Sequence, residues 1–160
     1  MKLSEGVEWS IHICSLLAGT GSKRVSVDQL AGFYDLPKPY LAKQLQALAS
    51  AGFVDGSKGR GGGYRLARAP AQISLLDIVL AIEGAERAFR CSEIRQCGPA
   101  AKPPGHYLAP CTIASAMWKA EALWRAELAK TSIAQIVADT KPHLDADHVK
   151  IFADWFQLGA

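Results

Sequence analysis

Residues 53–66 read Phe53-Val54-Asp55-Gly56-Ser57-Lys58-Gly59-Arg60-Gly61-Gly62-Gly63-Tyr64-Arg65-Leu66, and this stretch decides the architecture. Two short strand-like pieces flank a tip of glycines and basic residues, which is the pattern of a β-hairpin. Glycines let a backbone approach phosphate closely, and Lys58, Arg60 and Arg65 supply positive charge. A nucleotide-binding glycine loop is the rival reading. It is discounted because the stretch lacks the Lys-Ser/Thr ending of a P-loop and has no helix directly behind it.

Working upstream, Ser26-Val27-Asp28-Gln29 has capping-box spacing and starts a short helix through Phe33 or Tyr34. Asp35-Leu36-Pro37-Lys38 breaks it. Pro39 suits the first turn of the next helix, which carries Tyr40, Leu41, Leu45 and Leu48 and ends at Gly52. Two short helices joined by a tight turn make a helix-turn-helix, and the hairpin behind them makes it winged. The expected DNA contacts are Pro39, Tyr40, Lys43 and Gln44 on the second helix, with Lys58, Arg60 and Arg65 in the wing. Gln44 could pair bidentately with adenine, whereas lysines more often serve phosphate. The bland alternative for each of these residues is plain solvated surface. Further upstream, residues 4–18 have a helical pattern with Val7, Ile11, Leu16 and Leu17 among the apolar positions. Glu8 and His12 are four apart and share one face, which by itself suits a solvated or partly buried hydrogen-bonded pair. Cys14 lies about 200° round that helix from His12 and suits a small core position.

Downstream, Ser74 caps a helix of Leu75, Ile78, Val79 and Ile82. Residues 90–111 then hold Cys91, Cys97 and Cys111, with His106 between the last two and four of the eight prolines. No regular helix or strand is expected there, and cysteines on such a loop can converge on a metal or cluster. A long helix over 112–130 follows, with the stripe Ile113, Met117, Ala120, Trp124 and Leu128. That spacing suits pairing between two chains, the alternative being an intramolecular core helix. Ser132 opens a second capping box with Gln135, for a short helix of Ile133, Ile136 and Val137. After Pro142, an amphipathic segment with Val149, Phe152, Trp155, Phe156 and Leu158 is expected to dock on the same core. His143 and His148 are expected on the surface.

The whole chain agrees with this division. It has 160 residues, 49% hydrophobic and 21% charged, enough for one domain or one small domain with an appendage. No apolar run reaches membrane-spanning length and no secretory signal is read, so the expected location is cytoplasmic, with no membrane partner. In a reducing cytosol, clustered cysteines suit metal, cluster or redox work better than structural disulfides. Residues 1–71 hold nine Lys/Arg against five Asp/Glu, a net +4; residues 72–160 hold nine against ten, a net −1. The basic half suits phosphate contact. No nucleophile–base motif or cofactor-type glycine loop is present, so an enzyme is not expected. The expected fold is mainly α with a small β-hairpin wing. Its parts are a winged helix-turn-helix over 1–84, a cysteine sensor loop over 85–111, dimerisation helices over 112–140 and a helical extension over 141–160.

The order of helix, helix-turn-helix, glycine-rich wing, cysteine loop and long helix resembles the Rrf-type winged-helix transcription regulators, which include the IscR and NsrR iron–sulfur regulators. The resemblance is carried by Pro39-Tyr40-Leu41 opening the second helix, Gly61-Gly62-Gly63-Tyr64 in the wing, and Cys91 and Cys97 in the loop. It runs through the long helix to Thr131-Ser132-Ile133 and covers residues 1 to about 139. It implies a homodimer on double-stranded operator DNA. Lys43 stands where some IscR-like members carry an acidic residue, so sequence preference does not transfer.

The IscR pattern places a third cysteine soon after the second, whereas residues 98–110 here hold none. Gly6-Val7-Glu8-Trp9 and Ser92-Glu93-Ile94-Arg95-Gln96, with cysteines at 91 and 111, look most like the RsrR-type redox regulators. That resemblance implies a [2Fe–2S] cluster held by Cys91 and Cys111 of one subunit and by Glu8 and His12 of the other. Cys97 is extra to that pattern and is the alternative ligand. Three rivals stay open: a structural zinc site of Cys91, Cys97, His106 and Cys111; a cluster on Cys91, Cys97, Cys111 and a first-helix residue; and a cluster-free thiol switch.

Overall fold

The computed structural model describes residues 2–59 and 61–158. In chain order the elements are α1 (Glu5–Gly19), α2 (Val27–Phe33), α3 (Lys38–Ser50), β1 (Val54–Ser57), β2 (Gly63–Leu66), α4 (Leu75–Glu83), α5 (Thr112–Lys130), α6 (Ile133–Thr140) and α7 (Ala146–Trp155). The expected class, mainly helical with one small hairpin, is what the chain adopts.

Local signals set most of the boundaries. Ser26 accepts from the Gln29 amide while the Gln29 side chain accepts from the Ser26 amide, a complete capping box. Ser74 does the same with Asp77. The second box expected at Ser132 is only half made. Ser132 accepts from the Gln135 amide, but the Gln135 side chain donates instead to Asp139, one turn ahead. Pro39 stands in the first turn of α3, and Gly52 (φ 75°) ends the chain's path out of it.

The core is one cluster. Ile13, Cys14 and Leu17 of α1, Leu30 of α2, and Leu41, Leu45 and Leu48 of α3 are fully buried together with Val25, Ile73, Ile78, Ile133 and Phe156. Burying each large apolar side chain contributes about 1.5–3 kcal/mol. Cys14 is a core residue as expected, and burial pushes its thiol pKa up to about 12. Although adjacent to the long helix in sequence, α6 packs on α1, with Ile133 in the core. The segments entering α4 and α6 are tied by the Leu75 amide to Thr131 O (2.9 Å) and the Ile133 amide to Ile73 O (2.9 Å). The C-terminal segment docks on the core through Phe152 and Phe156, although Val149 stays exposed.

The wing hangs on the segment before α2. The Val25 amide donates to Tyr64 O (2.9 Å) and the Tyr64 amide to Val25 O (2.8 Å). That approach requires the glycine at position 63, and the hairpin's own tight turn requires the one at 62. Gly63 has φ 145°, and a Cβ there would lie 2.5 Å from Val25 O; one on Gly62 would lie 2.5 Å from Ser57 O. Both distances are far inside contact, and the atoms met are backbone. Gly63→Ala should therefore destabilise the fold by about 2 kcal/mol, from strained φ and the carbonyl clash together. Urea unfolding followed by circular dichroism checks this, and an unchanged midpoint would refute it.

Candidate nucleic-acid interface and metal centre

The core side of α3 is the Leu41, Leu45 and Leu48 stripe, so its opposite face is free. Pro39, Lys43, Gln46 and Ser50 lie there exposed, flanked by Tyr40 at 64% exposure. Gln44 is placed differently from the expectation. It sits on the flank toward α1, half-buried, and its amide group covers Gly6, where a Cβ would come within 2.8 Å of it. Gln46, which the sequence reading passed over, is the glutamine on the open face. Helical phase relative to the leucine stripe is the signal that would have found it.

In the wing, Lys58 is exposed at the tip and Arg60 lies outside the described residues. Arg65 is paired across the hairpin. Its guanidinium bonds the Asp55 carboxylate (Nε to Oδ2 3.1 Å, Nη2 3.0 Å). Arg24 joins from the other side, donating to Asp55 Oδ2 (2.6 Å), Asp55 O (3.1 Å) and Gly63 O (3.1 Å). Arg24 thus rivets both strands to the segment before α2. The Arg24 and then the Arg65 hydrogen bonds hold the Asp55 carboxyl below the ordinary carboxylate range.

The loop between α4 and α5 is irregular as expected, apart from single 3-10 turns at Ile94–Gln96 and Pro104–His106. Its first residues are laid along α5. The buried Glu121 carboxylate accepts from the Ala88 amide (3.1 Å) and from Arg125 Nε (2.9 Å), and Arg125 also donates to Ala85 O and Glu86 O. Trp118 Nε1 donates to Phe89 O (3.2 Å), and the Arg87 guanidinium lies over the Trp118 ring. Farther along, Arg95 joins the two arms of the loop. It pairs with Glu93, donates to Ala109 O (3.2 Å) and lies over the Tyr107 ring, while Tyr107 Oη donates to Arg95 O (2.6 Å). The sequence reading missed these groups. Only the i, i+4 spacing of Glu121 and Arg125 was there to be seen.

Cys91 and Cys97 are exposed and Cys111 is half-exposed. Cys111 immediately precedes α5. The amides of Ala114 and Ile113 face its sulfur and draw its pKa below the ordinary thiol value, although the geometry falls short of a full capping bond. The Arg95 pKa is raised, first by Glu93 and to a lesser degree by its cysteine neighbours in the loop, Cys111 ahead of Cys91. Glu8 and His12 lie exposed on the outer face of α1. Among the described residues of one chain, no three His, Cys, Asp or Glu side chains converge as metal ligands. Nor is any described helix long and apolar enough to cross a membrane.

Residues 3–139 match the family described as "Rrf2: Iron-dependent Transcriptional regulator", and the chain belongs to that family. Rv1287 of Mycobacterium tuberculosis, named as an HTH-type transcriptional regulator, is 30% identical over 156 residues, covering 96% of this chain and 89% of that protein. BadM of Rhodopseudomonas palustris, named likewise, is 35% identical over 83 residues, 52% of this chain and 53% of BadM; the match thus spans about half of that relative. Among solved structures, T. potens IscR superposes with TM-score 0.68 at 24% identity, covering 91% of this chain and 93% of that one. CymR of B. subtilis, titled "the Global Cysteine Regulator", superposes with TM-score 0.62 at 20% identity, covering 88% and 98%. At those identities both show the fold alone.

Asp55 yields a pH dependence. Its folded pKa is depressed, so its contribution to stability is present in and above the ordinary carboxylate range and is lost as pH falls through the depressed value. In urea titrations repeated at successively more acid pH, the unaltered protein should lose stability more steeply than Asp55→Asn. Parallel acid limbs would rule this out.

Proposed function

We propose that the chain is a homodimeric transcription regulator that binds operator DNA through α3 and the wing, with affinity set by a [2Fe–2S] cluster shared between subunits. The ligands are Cys91 and Cys111 of one subunit and Glu8 and His12 of the other, with Cys97 the alternative. The observation that carries this reading is the setting of Cys111 at the start of α5. Helix amides, and to a lesser degree Arg95, lower its pKa. Thiolates are the ligand form of cysteine, so this position is suited to a metal.

Glu8 and His12, one turn apart, are both exposed on α1, where a second molecule can reach them. Two thiolates with a carboxylate and an imidazole fit a [2Fe–2S] centre, which would supply one-electron redox chemistry with a potential raised by the histidine. The residues' own tasks are to hold and orient. Arg95 keeps the two arms of the loop together, and the Glu121–Arg125 pair fastens the start of the loop to α5. Tying one subunit's loop to the other's α1 sets how the two winged helices face successive half-sites.

The dimer contact is assigned to α5. Over its 19 residues, about 28 Å of helix, it buries only Ala114 and Glu121 and leaves Ile113 (64%), Met117 (45%) and Leu123 (66%) exposed. Ile113 and Met117 share one face, with Leu123 about 80° round from Ile113, and exposed apolar surface on a long helix suits the same helix of a second copy. Replacing Ile113 and Leu123 together with Glu should shift the protein to monomer in sedimentation velocity runs; an intact dimer would move the interface elsewhere.

On the DNA side, the proposed contacts are Pro39, Tyr40, Lys43 and Gln46 from α3 and Lys58 and Arg60 from the wing. Arg65 and Gln44 serve phosphate or base only after leaving Asp55 and Gly6.

The lowered Cys111 pKa equally favours a cluster-free thiol switch as the second reading. Protein purified without oxygen separates them. The cluster reading expects visible absorbance that bleaches on reduction, about two iron and two sulfide per chain, and loss of colour in Cys91→Ser, Cys111→Ser and His12→Ala. Retained colour in His12→Ala but loss in Cys97→Ser would move the ligand set to the three loop cysteines. A colourless protein carrying zinc would point to Cys91, Cys97, His106 and Cys111, and a colourless metal-free one to the thiol switch.

A further inference from the structure

We propose that Tyr34 couples His12 to the start of the recognition helix, so that immobilising the imidazole in the assembled dimer also immobilises the turn from which α3 begins. The inference rests on the cluster reading above.

The geometry is a chain of ring contacts. His12 and Tyr34 meet edge-on, with ring centroids 5.4 Å apart and planes at 67°. Tyr34 meets Phe33 edge-on at 5.1 Å. On its other side Phe33 is enclosed by α7 and the residue after it, with Phe152 at 6.1 Å, Trp155 at 6.1 Å and Phe156 at 5.2 Å. That block is fixed in place. Phe156 is fully buried, Trp155 Nε1 donates to Gln29 O (3.0 Å), and Lys23 Nζ donates to Phe156 O (2.6 Å) and Gln157 O (2.7 Å). Tyr34 therefore has a rigid aromatic block behind it and an exposed imidazole in front.

The backbone at Tyr34 gives the contact its consequence. Tyr34 is the first residue after α2, Asp35 is left-handed (φ 51°), the Leu36 amide donates to Ala31 O (2.8 Å), and Lys38 already begins α3. Three residues, one of them in a conformation that non-glycine residues rarely adopt, join the ring to the recognition helix. Such a turn is an element that two sites can bias, which coupling requires. Edge-on ring contacts carry a factor of about 2–10 in an equilibrium constant, the size of effect one contact can transmit. Residues 141–158, outside the matched family residues, acquire a role here: they supply the block against which Tyr34 bears.

The test uses the full chain with Tyr34→Leu and Tyr34→Phe, and Tyr34→Met in place of leucine should that variant misfold by circular dichroism. In cluster-free protein, the His12 ring-proton resonances should move in Tyr34→Leu and stay near their original place in Tyr34→Phe. With the same operator fragment and salt, the ratio of affinities with and without cluster should fall by about 2–10-fold toward one in Tyr34→Leu. The cluster's absorbance and the cluster-free affinity should stay as they were, and Tyr34→Phe should restore the ratio. An unchanged ratio in Tyr34→Leu, or unmoved His12 resonances, would overturn the proposal alone. An unaltered protein that takes up no cluster, or binds DNA equally with and without it, would overturn the sensing reading and this coupling with it, while leaving the resonance result in cluster-free protein as found.

Discussion

Two hydrogen bonds between Val25 and Tyr64 govern the DNA-facing half of the molecule. Two four-residue strands do not hold a shape alone in water. Here the hairpin becomes a third party to the helix-turn-helix because its second strand pairs with the segment that enters α2. The closeness of that pairing leaves no room for a side chain at Gly63 and recruits Arg24 as a brace across both strands. The consequence reaches the charge pattern. Arg24 and Arg65, counted as two of the nine cations of the basic half, both neutralise Asp55. On the described part of the wing, the basic residue not engaged by Asp55 is the exposed Lys58. Orientation of the wing is thus obtained partly at the expense of its positive field.

The loop obeys a different logic. It has almost no apolar core of its own and is held by polar groups reaching in from outside or across it. Glu121 is the key member, a carboxylate at 8% exposure that would be a heavy liability without the Arg125 guanidinium and the Ala88 amide. Because each arm is fixed by directed bonds rather than by packing, the cysteines stay near the surface while their backbone is constrained. Such a loop can be open to a partner and still be specific in shape.

What could be read from the residues divides along the same line. Helix starts were legible because capping is local: Ser26 with Gln29 and Ser74 with Asp77 carry their signal within one turn. Ser132 misled because Gln135 had a competing partner one turn ahead, and sequence alone does not rank two partners. The leucine stripe of α3 and the glycines of the wing were equally plain. Illegible were the fates of individual polar side chains. The sequence suggests a phosphate contact at Arg65 because the register that sets Asp55 opposite it depends on the turn made by the glycine tip. Arg95 and Tyr107 sit twelve residues apart and meet only because the loop doubles back. A charge in a sequence states its sign, not its partner.

The seat of the last helix has its own footprint in the sequence. Phe152 lies where a Cβ on Gly19 would be (2.8 Å), and Trp155 lies 3.1 Å from where one on Gly32 would be. Neither glycine has a positive φ, so neither is needed for the path of its own helix. They are vacancies left in α1 and α2 for the rings of α7. Among relatives, a chain that carries side chains at both positions must shift those rings to seat such a helix. The two glycines and the two aromatic residues should accordingly be gained or lost together as lineages acquire or shed this C-terminal segment, a pairing that can be followed in genomes without any structure.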